Sequence, residues 1–356
     1  YEHLVRMVLK AIEQDVMQDV DHPHFRVLDD RIREGGDNPD QRYLIAKVRG
    51  GEEYRVWGRL GSAHRLEVQL YSAEPYGGKN VGVGYLPHES IAFAADGSFS
   101  IELGPHTDAP SGLRSPPETA IVQVRQIYDE WSDADPGAVF IDRIGFEGRR
   151  RAVESAAQMA ERLRLAGDNA YYSTECWPAL VERGVLGFME RNTLPPLMSP
   201  GERAGVVGRW ISVGHFELTG DEALVIRVPP TTADYRGIQL ADLWFASLPY
   251  GNATSSLSGA QSTAAPDGDT YFVISLEDPG YANWLDPCGL QRGIVHLRYD
   301  GVDGEIPEAS WPSATLTTVD GLAETIPGFA DQLFSSARRQ SQVATRRRHV
   351  QVRYGR

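Results

Sequence analysis

The sequence predicts a mainly β protein: two jelly-roll-like β-sandwich domains, a helical N-terminus, a helical segment between the domains and a C-terminal helix. Three observations lead there. Two long regions consist of short apolar runs cut by Gly, Pro, Asn and Asp, as in "RLEVQLY", where alternation is clear. Between them lies a stretch dominated by Ala, Leu, Glu and Arg, the texture of helix. The two β-regions also echo one another. "DGSFSIELGP" leads through a polar loop to "AIVQVRQIYD", and "DGDTYFVISLEDPG" leads through another to "GIVHLRYDG". Each unit is an Asp-Gly turn, a strand, a long excursion and a strand carrying Arg and Tyr, which reads as a duplicated sandwich.

Residues 1–42 form a first segment. Leu4, Val5, Val8, Leu9, Ile12, Val16 and Val20 have helical spacing, and "DHPHF" and "REGGDNPDQ" then break the pattern. Residues 43–147 are the first sandwich. Residues 148–200 are helical and then linker; Gly167 and Asn169 are expected to divide the helix, and "TLPPLMSPGERAG" is expected to be irregular. Residues 201–310 are the second sandwich. Residues 311–356 hold a last helix, expected over about 322–342, and a basic tail.

With 356 residues the chain suits two domains. No apolar run approaches the ~20 residues of a membrane span, so no membrane partner is expected. The net charge of −14 disfavours nucleic acid as a partner. The basic tail "ARRQSQVATRRRHVQVRYGR" reads as a helix with a solvated Arg face, the alternative being a nucleic-acid arm. Only Lys10, Lys47 and Lys79 are lysines, which removes Schiff-base and phosphate-loop lysine chemistry from the rest of the chain. Cys176 and Cys288 make neither a disulfide framework nor a metal-ligand pair. Cytoplasmic location is the expectation; the absence of an initial Met leaves upstream residues open.

"LWFASL", "SSLSGAQ", "PDGD", "DPGYANWLD" and "GIVHLRY" follow one another within residues 222–300. In that order they resemble a bacterial family known as a domain of unknown function, number twelve-fourteen. Ser258 stands where that family commonly has Asn, and Asp269 where it has Ser; "GDNPDQRY" is a weaker echo. The resemblance implies paired jelly-roll-like sandwiches and supplies no reaction.

The chemistry must therefore be sought in residues. "DPGYANWLD" spends a Tyr, an Asn, a Trp and two Asp on what should be a turn. Asp278 and Asp286 flank it. Beside Trp284, a carboxyl could be held protonated for acid–base work; capping a turn or pairing with Arg298 are the structural alternatives. His215 and His296 alternate with apolar residues in strands, where a sheet-face His is the default and a general base the sharper reading. Tyr235, Gln239, Trp244, Tyr250, Tyr281, Asn283 and Trp284 form a set suited to stacking on a ring and bonding hydroxyls. His22 and His24, with Asp21, lack further ligands at metal spacing. Ser255 and Ser256 lack a nucleophile-elbow setting, and "GKNVGVG" lacks a phosphate-loop context.

The catalytic candidates are thus Asp286, Asp278 and His215. The substrate-binding candidates are Trp284, Asn283, Tyr281, Trp244, Tyr235 and Gln239. The expected function is a cofactor-independent acid–base enzyme, a lyase, dehydratase or hydrolase, acting on a neutral ring-containing small molecule such as a sugar, terpenoid or sterol-like compound. The alternatives are a non-catalytic carbohydrate or small-molecule binding protein and an oligomeric structural protein. A small-molecule ligand is the expected partner, with a homo-oligomer left open; no metal and no cofactor are expected.

Overall fold

The structure is a computed structural model that describes residues 1–74, 81–200 and 206–355. In the first sandwich, one sheet has the order β1-β2-β8-β4-β5: Arg26–Leu28, Gln41–Lys47, Ile121–Ile127, Arg65–Tyr71 and Gly82–Leu86. The other has the order β7-β6-β3-β9: Gly112–Arg114, Ser98–Gly104, Tyr54–Arg59 and Ala138–Arg143. In the second sandwich the sheets are β10-β16-β12-β13 (Trp210–Glu217, Arg292–Asp300, Tyr235–Ala241, Ser256–Ser258) and β15-β14-β11-β17 (Trp284–Leu285, Thr270–Ser275, Glu222–Val228, Ser313–Thr318).

Advancing each strand number by eight converts the order β2-β8-β4-β5 into β10-β16-β12-β13, and β7-β6-β3-β9 into β15-β14-β11-β17. Even the short parallel pairing of β6 with β7 recurs between β14 and β15. The two halves share one topology, as the repeated sequence units suggest. Ile121-Val122-Gln123-Val124-Arg125 in β8 then corresponds to Ile294-Val295-His296-Leu297-Arg298 in β16.

Alternation explains the cores. Leu66, Val68 and Leu70 of β4 join Val122 and Val124 of β8 inside the first sandwich; Val295, Leu297 and Tyr299 of β16 do the same in the second. The polar side of a sandwich sheet ordinarily meets water. Here Arg65, Glu67 and Gln69, the polar residues of β4, are also buried, as are Arg298 and Asp300 of β16. The reason is that these two faces turn toward one another. Gln41 reaches Asp300, Arg65 pairs with Asp234, and Arg209 pairs with Asp300 at 2.9 Å and lies 3.6 Å from Glu67. Charged side chains close the domain interface.

Helix α1 (Glu2–Ala11) continues into a π-helical turn, Ile12–Val16. Its apolar stripe of Leu4, Val5, Val8 and Ile12 faces outward, while His3, Arg6, Met7 and Lys10 are buried, with Lys10 donating to Ser173 and His3 stacking on Trp244. The helical segment differs from expectation: α2 (Ala156–Val181) runs unbroken past Gly167 and Asn169. A glycine within a helix costs only about 1 kcal/mol, and the buried Asn169 contributes through bonds to Asp15 and Ser173. Ser155 and Gln158 form a capping box at its start. Part of the expected linker is ordered, with Thr193 and Met198 bridging to β10; residues 201–205 lie outside the described residues, as do Gly78, Lys79 and Asn80 of "GKNVGVG".

The C-terminal region also differs. A single turn, α3 (Leu322–Thr325), precedes α4 (Ser336–Arg353), so the basic tail is itself the long helix. It is not a wholly solvated Arg face. Arg339, Arg346 and Arg353, seven residues apart, are buried, since two turns of helix bring every seventh residue to nearly the same side. Arg346 donates to Tyr250 O, Ser256 and Gln261 in the second domain, and Arg353 stacks over Tyr128 and Trp131 of the first. The helix straps the two sandwiches together. Among the described residues, no helix is long and apolar enough to cross a membrane.

Candidate functional site

A cavity of about 210 Å³ lies between the domains. Its floor is the outer face of β1, β2 and β8, where Arg26, Tyr43, Ile45, Ile121, Gln123 and Arg125 stand on neighbouring strands. Its roof is the segment Glu34–Asp37 with Trp177 of α2, Arg209 and Arg298. Thus Arg125 and Arg298, equivalent residues of the two halves, line one space.

The roof is held close by backbone shape. Gly35 and Gly36 both have left-handed φ, 65° and 67°. A Cβ on Gly35 would come within 2.8 Å of the Trp177 ring, and one on Gly36 within 2.6 Å of Phe245. Only glycine fits twice here. The Gly36 carbonyl accepts from Arg298 at 3.1 Å. Asp37 accepts from the Ser247 amide and hydroxyl, at 3.0 and 2.6 Å, and its carbonyl accepts from Gln239. Gln239 in turn accepts from Arg298. Beyond the roof, Tyr235 donates to Asp40 at 2.7 Å and accepts from Asn38.

The charges around this space are uneven. Arg209 is matched by Asp300 and Glu67. Burial alone would raise the Asp300 carboxyl, but Arg209 holds it below the usual range; Glu67 is pushed up, first by burial and then by Asp300. Arg26, Arg125 and Arg298 differ. Their partners are neutral: Gln14 for Arg26, Gln69 and Tyr71 for Arg125, Gly36 O and Gln239 for Arg298. Among the described residues none of the three has a carboxylate within ion-pairing distance, although each is more than 90% buried. The Nη1 of Arg26 has no hydrogen-bond partner at all. His296 beside Arg298 is held neutral, well below its usual range, by burial and then by Arg298 and Arg209.

Burial pushes the Asp37 and Asp40 carboxyls up to about 6 each. A folded-state value above the unfolded one gives stabilisation that is full below pH 3.8 and lost as pH rises through about 6. Asp37→Asn removes that titration. The variant should gain on the wild type by up to about 3 kcal/mol between pH 4 and 7.5, read from denaturant midpoints across that range. A constant difference between the two proteins would refute a buried, titrating Asp37. The lowered His349, at about 3, works the other way, adding stability as pH rises toward 6.5, and cancels from the comparison.

The residues singled out from sequence do not converge on this cavity. Asp278 caps its turn through the Gly280 amide and pairs with Arg339 at 3.0 Å. Asp286 accepts from the Cys288 amide at 2.7 Å, a turn cap, and does not pair with Arg298; burial pushes its carboxyl up. Tyr281 bonds Gln332, Asn283 spends both ends on Thr263 and Tyr271 O, and Trp284 donates to Ser275 O. The "DPGYANWLD" loop is pinned to its own domain and to the C-terminal strap. Trp244, 47% exposed, stacks on His3 at 5.2 Å, away from the loop. His215 bonds Met189 O. Among these residues Gln239 braces the cavity roof, through Asp37 O, and Tyr235 holds Asn38 and Asp40 just beyond it. Arg26, Arg125, Arg209 and the Glu34–Asp37 segment were missed as site residues. The available signal was two adjacent glycines in "REGGDNPDQ" and the repeated strand arginine. Among the described residues no group of three or more His, Cys, Asp and Glu is placed to hold a metal ion.

Comparison with known proteins locates the fold. The chain is similar to an uncharacterised protein from Burkholderia cenocepacia, with 26% identity over 90% of this chain and 89% of that one, at a TM-score of 0.79. It shares its fold with a protein from Vibrio parahaemolyticus at 11% identity, covering 89% of this chain and 97% of that one, TM-score 0.50. No family model matches the chain, and no curated protein does.

Proposed function

We propose that this protein binds a small organic anion in the cavity between its two sandwiches. The observation that carries this is the set of three buried guanidinium groups, Arg26, Arg125 and Arg298, without carboxylate partners. An uncompensated buried charge costs several kcal/mol, and a planar guanidinium is suited to donate two parallel N–H bonds to a carboxylate. Leu28, Ile45 and Ile121 supply apolar wall, so the anion carries carbon as well as charge. The reading differs from the neutral ring expected from sequence because the aromatic set behind that expectation is dispersed or used in anchoring.

A panel of short carboxylates should raise the melting temperature of the wild type in a saturable way, with binding confirmed by calorimetry. Arg125→Gln should abolish the response. Without ligand, the same variant should be as stable as the wild type or more so, by about 1–3 kcal/mol, since one unpaired charge has gone. A wild type indifferent to every carboxylate, or an Arg125→Gln variant that still responds, would defeat the proposal.

A catalytic role is the second reading, favoured by Asp37, a cavity carboxyl titrating near neutrality, where acids and bases of enzymes are tuned. In that case turnover of a bound acid would be lost in Asp37→Asn while binding persisted. The order of motifs in residues 222–300 and the paired sandwiches support kinship with the domain-of-unknown-function family named above.

A further inference from the structure

We infer that the bound molecule is a small zwitterion, a carboxylate with an ammonium group beside it and an apolar side chain. The inference rests on the anion-binding reading and adds a second pole to it. Lys10, on the buried side of α1, places its ammonium 3.0 Å from Glu34 and 3.6 Å from Glu74. Both glutamates line the cavity, so among the described residues one cation is shared by two carboxylates there. The Oε1 of Glu74 is buried and has no hydrogen-bond partner. Arg26 also lines this cavity; it is 5% exposed, and its buried Nη1 is equally without partner.

Among the described residues, those that line the cavity therefore include a donor without a partner, on Arg26, and an acceptor without one, on Glu74. Buried polar groups of either kind are costly when unpaired. A neutral molecule leaves both charges unanswered, and a plain carboxylate leaves Glu74. A carboxylate and an ammonium on one carbon answer both. The volume of about 210 Å³ lies below the ~300–1,000 Å³ of pockets for drug-sized ligands. That suits a molecule with a few carbons beyond its charged groups, set against Leu28, Ile45 and Ile121.

Calorimetry on the full chain tests this with L-alanine, L-valine and L-leucine, each against the acid lacking its amine and the acid bearing a hydroxyl instead. At least one amino acid should bind tenfold or more tighter than both of its analogues. Glu74→Gln should bring that ratio within about twofold by weakening the amino acid, without weakening the amine-free acid. Arg26→Gln should weaken the amino acid and the amine-free acid alike. If the amine-free or hydroxy acids bind as tightly as the amino acids, the zwitterion is wrong while the anion reading stands. If nothing in the panel binds, both fall. A preference that survives Glu74→Gln overturns the assignment of the amine to that residue.

Discussion

Arg209→Met should destabilise the protein by about 3–5 kcal/mol, the cost of removing one member of a buried ionic cluster. Its guanidinium bonds both oxygens of Asp300 and lies 3.6 Å from Glu67, and all three residues are buried at the meeting of the two domains. Deleting the cation leaves two carboxylates facing one another without it. The Asp300 carboxyl, now held below its usual range chiefly by Arg209, should then rise, with burial opposed only by Arg298 and Arg125. Two features separate this from loss of packing. Stability should recover in part when Asp300→Asn is added, and the single variant should be relatively less impaired at low pH, where its stranded carboxylates can be protonated. Equilibrium unfolding at pH 5 and pH 8 reads both. A single variant within 1 kcal/mol of wild type at both values would mean that the cluster does not hold the domains.

Trp284→Ala should cost a similar amount, about 3–5 kcal/mol, as expected for truncating a buried aromatic. Trp284 is 8% exposed, donates to Ser275 O, and lies under the Arg339 guanidinium at 5.2 Å. Arg339 also bonds Asp278 and Tyr281 O, so the ring and the arginine fasten the loop to α4. The loss should appear first as faster hydrogen exchange at the start of α4. Asp286→Asn, by contrast, exchanges one turn cap for another and should change stability by less than about 1 kcal/mol. Carboxylate binding should survive in both variants, because the loop lies away from the cavity. Loss of ligand binding in Asp286→Asn at unchanged stability would restore the loop to the site.

How far the sequence could be read depends on the range of the interaction. The strands were visible in the alternation of "RLEVQLY" and "IVHLRY", and the duplication in the echo between the halves, because both are local patterns. The site was not visible, because its residues come from β1, β2, β4, β8, α2, the Glu34–Asp37 segment and the second sandwich. Polar residues on one side of a strand normally signal solvent, and nothing within "RLEVQLY" says that Glu67 and Gln69 face another domain. The aromatic loop misled for a related reason: Tyr281, Asn283 and Trp284 are as suited to anchoring a long excursion as to lining a cleft, and only their partners decide. Helix α1 repeats the lesson. Its apolar spacing was legible, but the side that carries Lys10 is the one turned inward.

Arg125 and Arg298 stand at corresponding positions of β8 and β16 and share one cavity. In genetic terms they form an epistatic pair. Like charges in a confined space, neither with a carboxylate in ion-pairing contact, raise each other's cost, so replacing either one relieves the other, and the second replacement should stabilise the ligand-free protein less than the first. In the presence of an anion the sign of the effect reverses, since the first loss destabilises by emptying the site and the second has little left to remove. A double-mutant cycle over these two positions should therefore show coupling whose sign changes on adding ligand. Selection for binding and selection for stability would pull this duplicated residue in opposite directions in both halves at once.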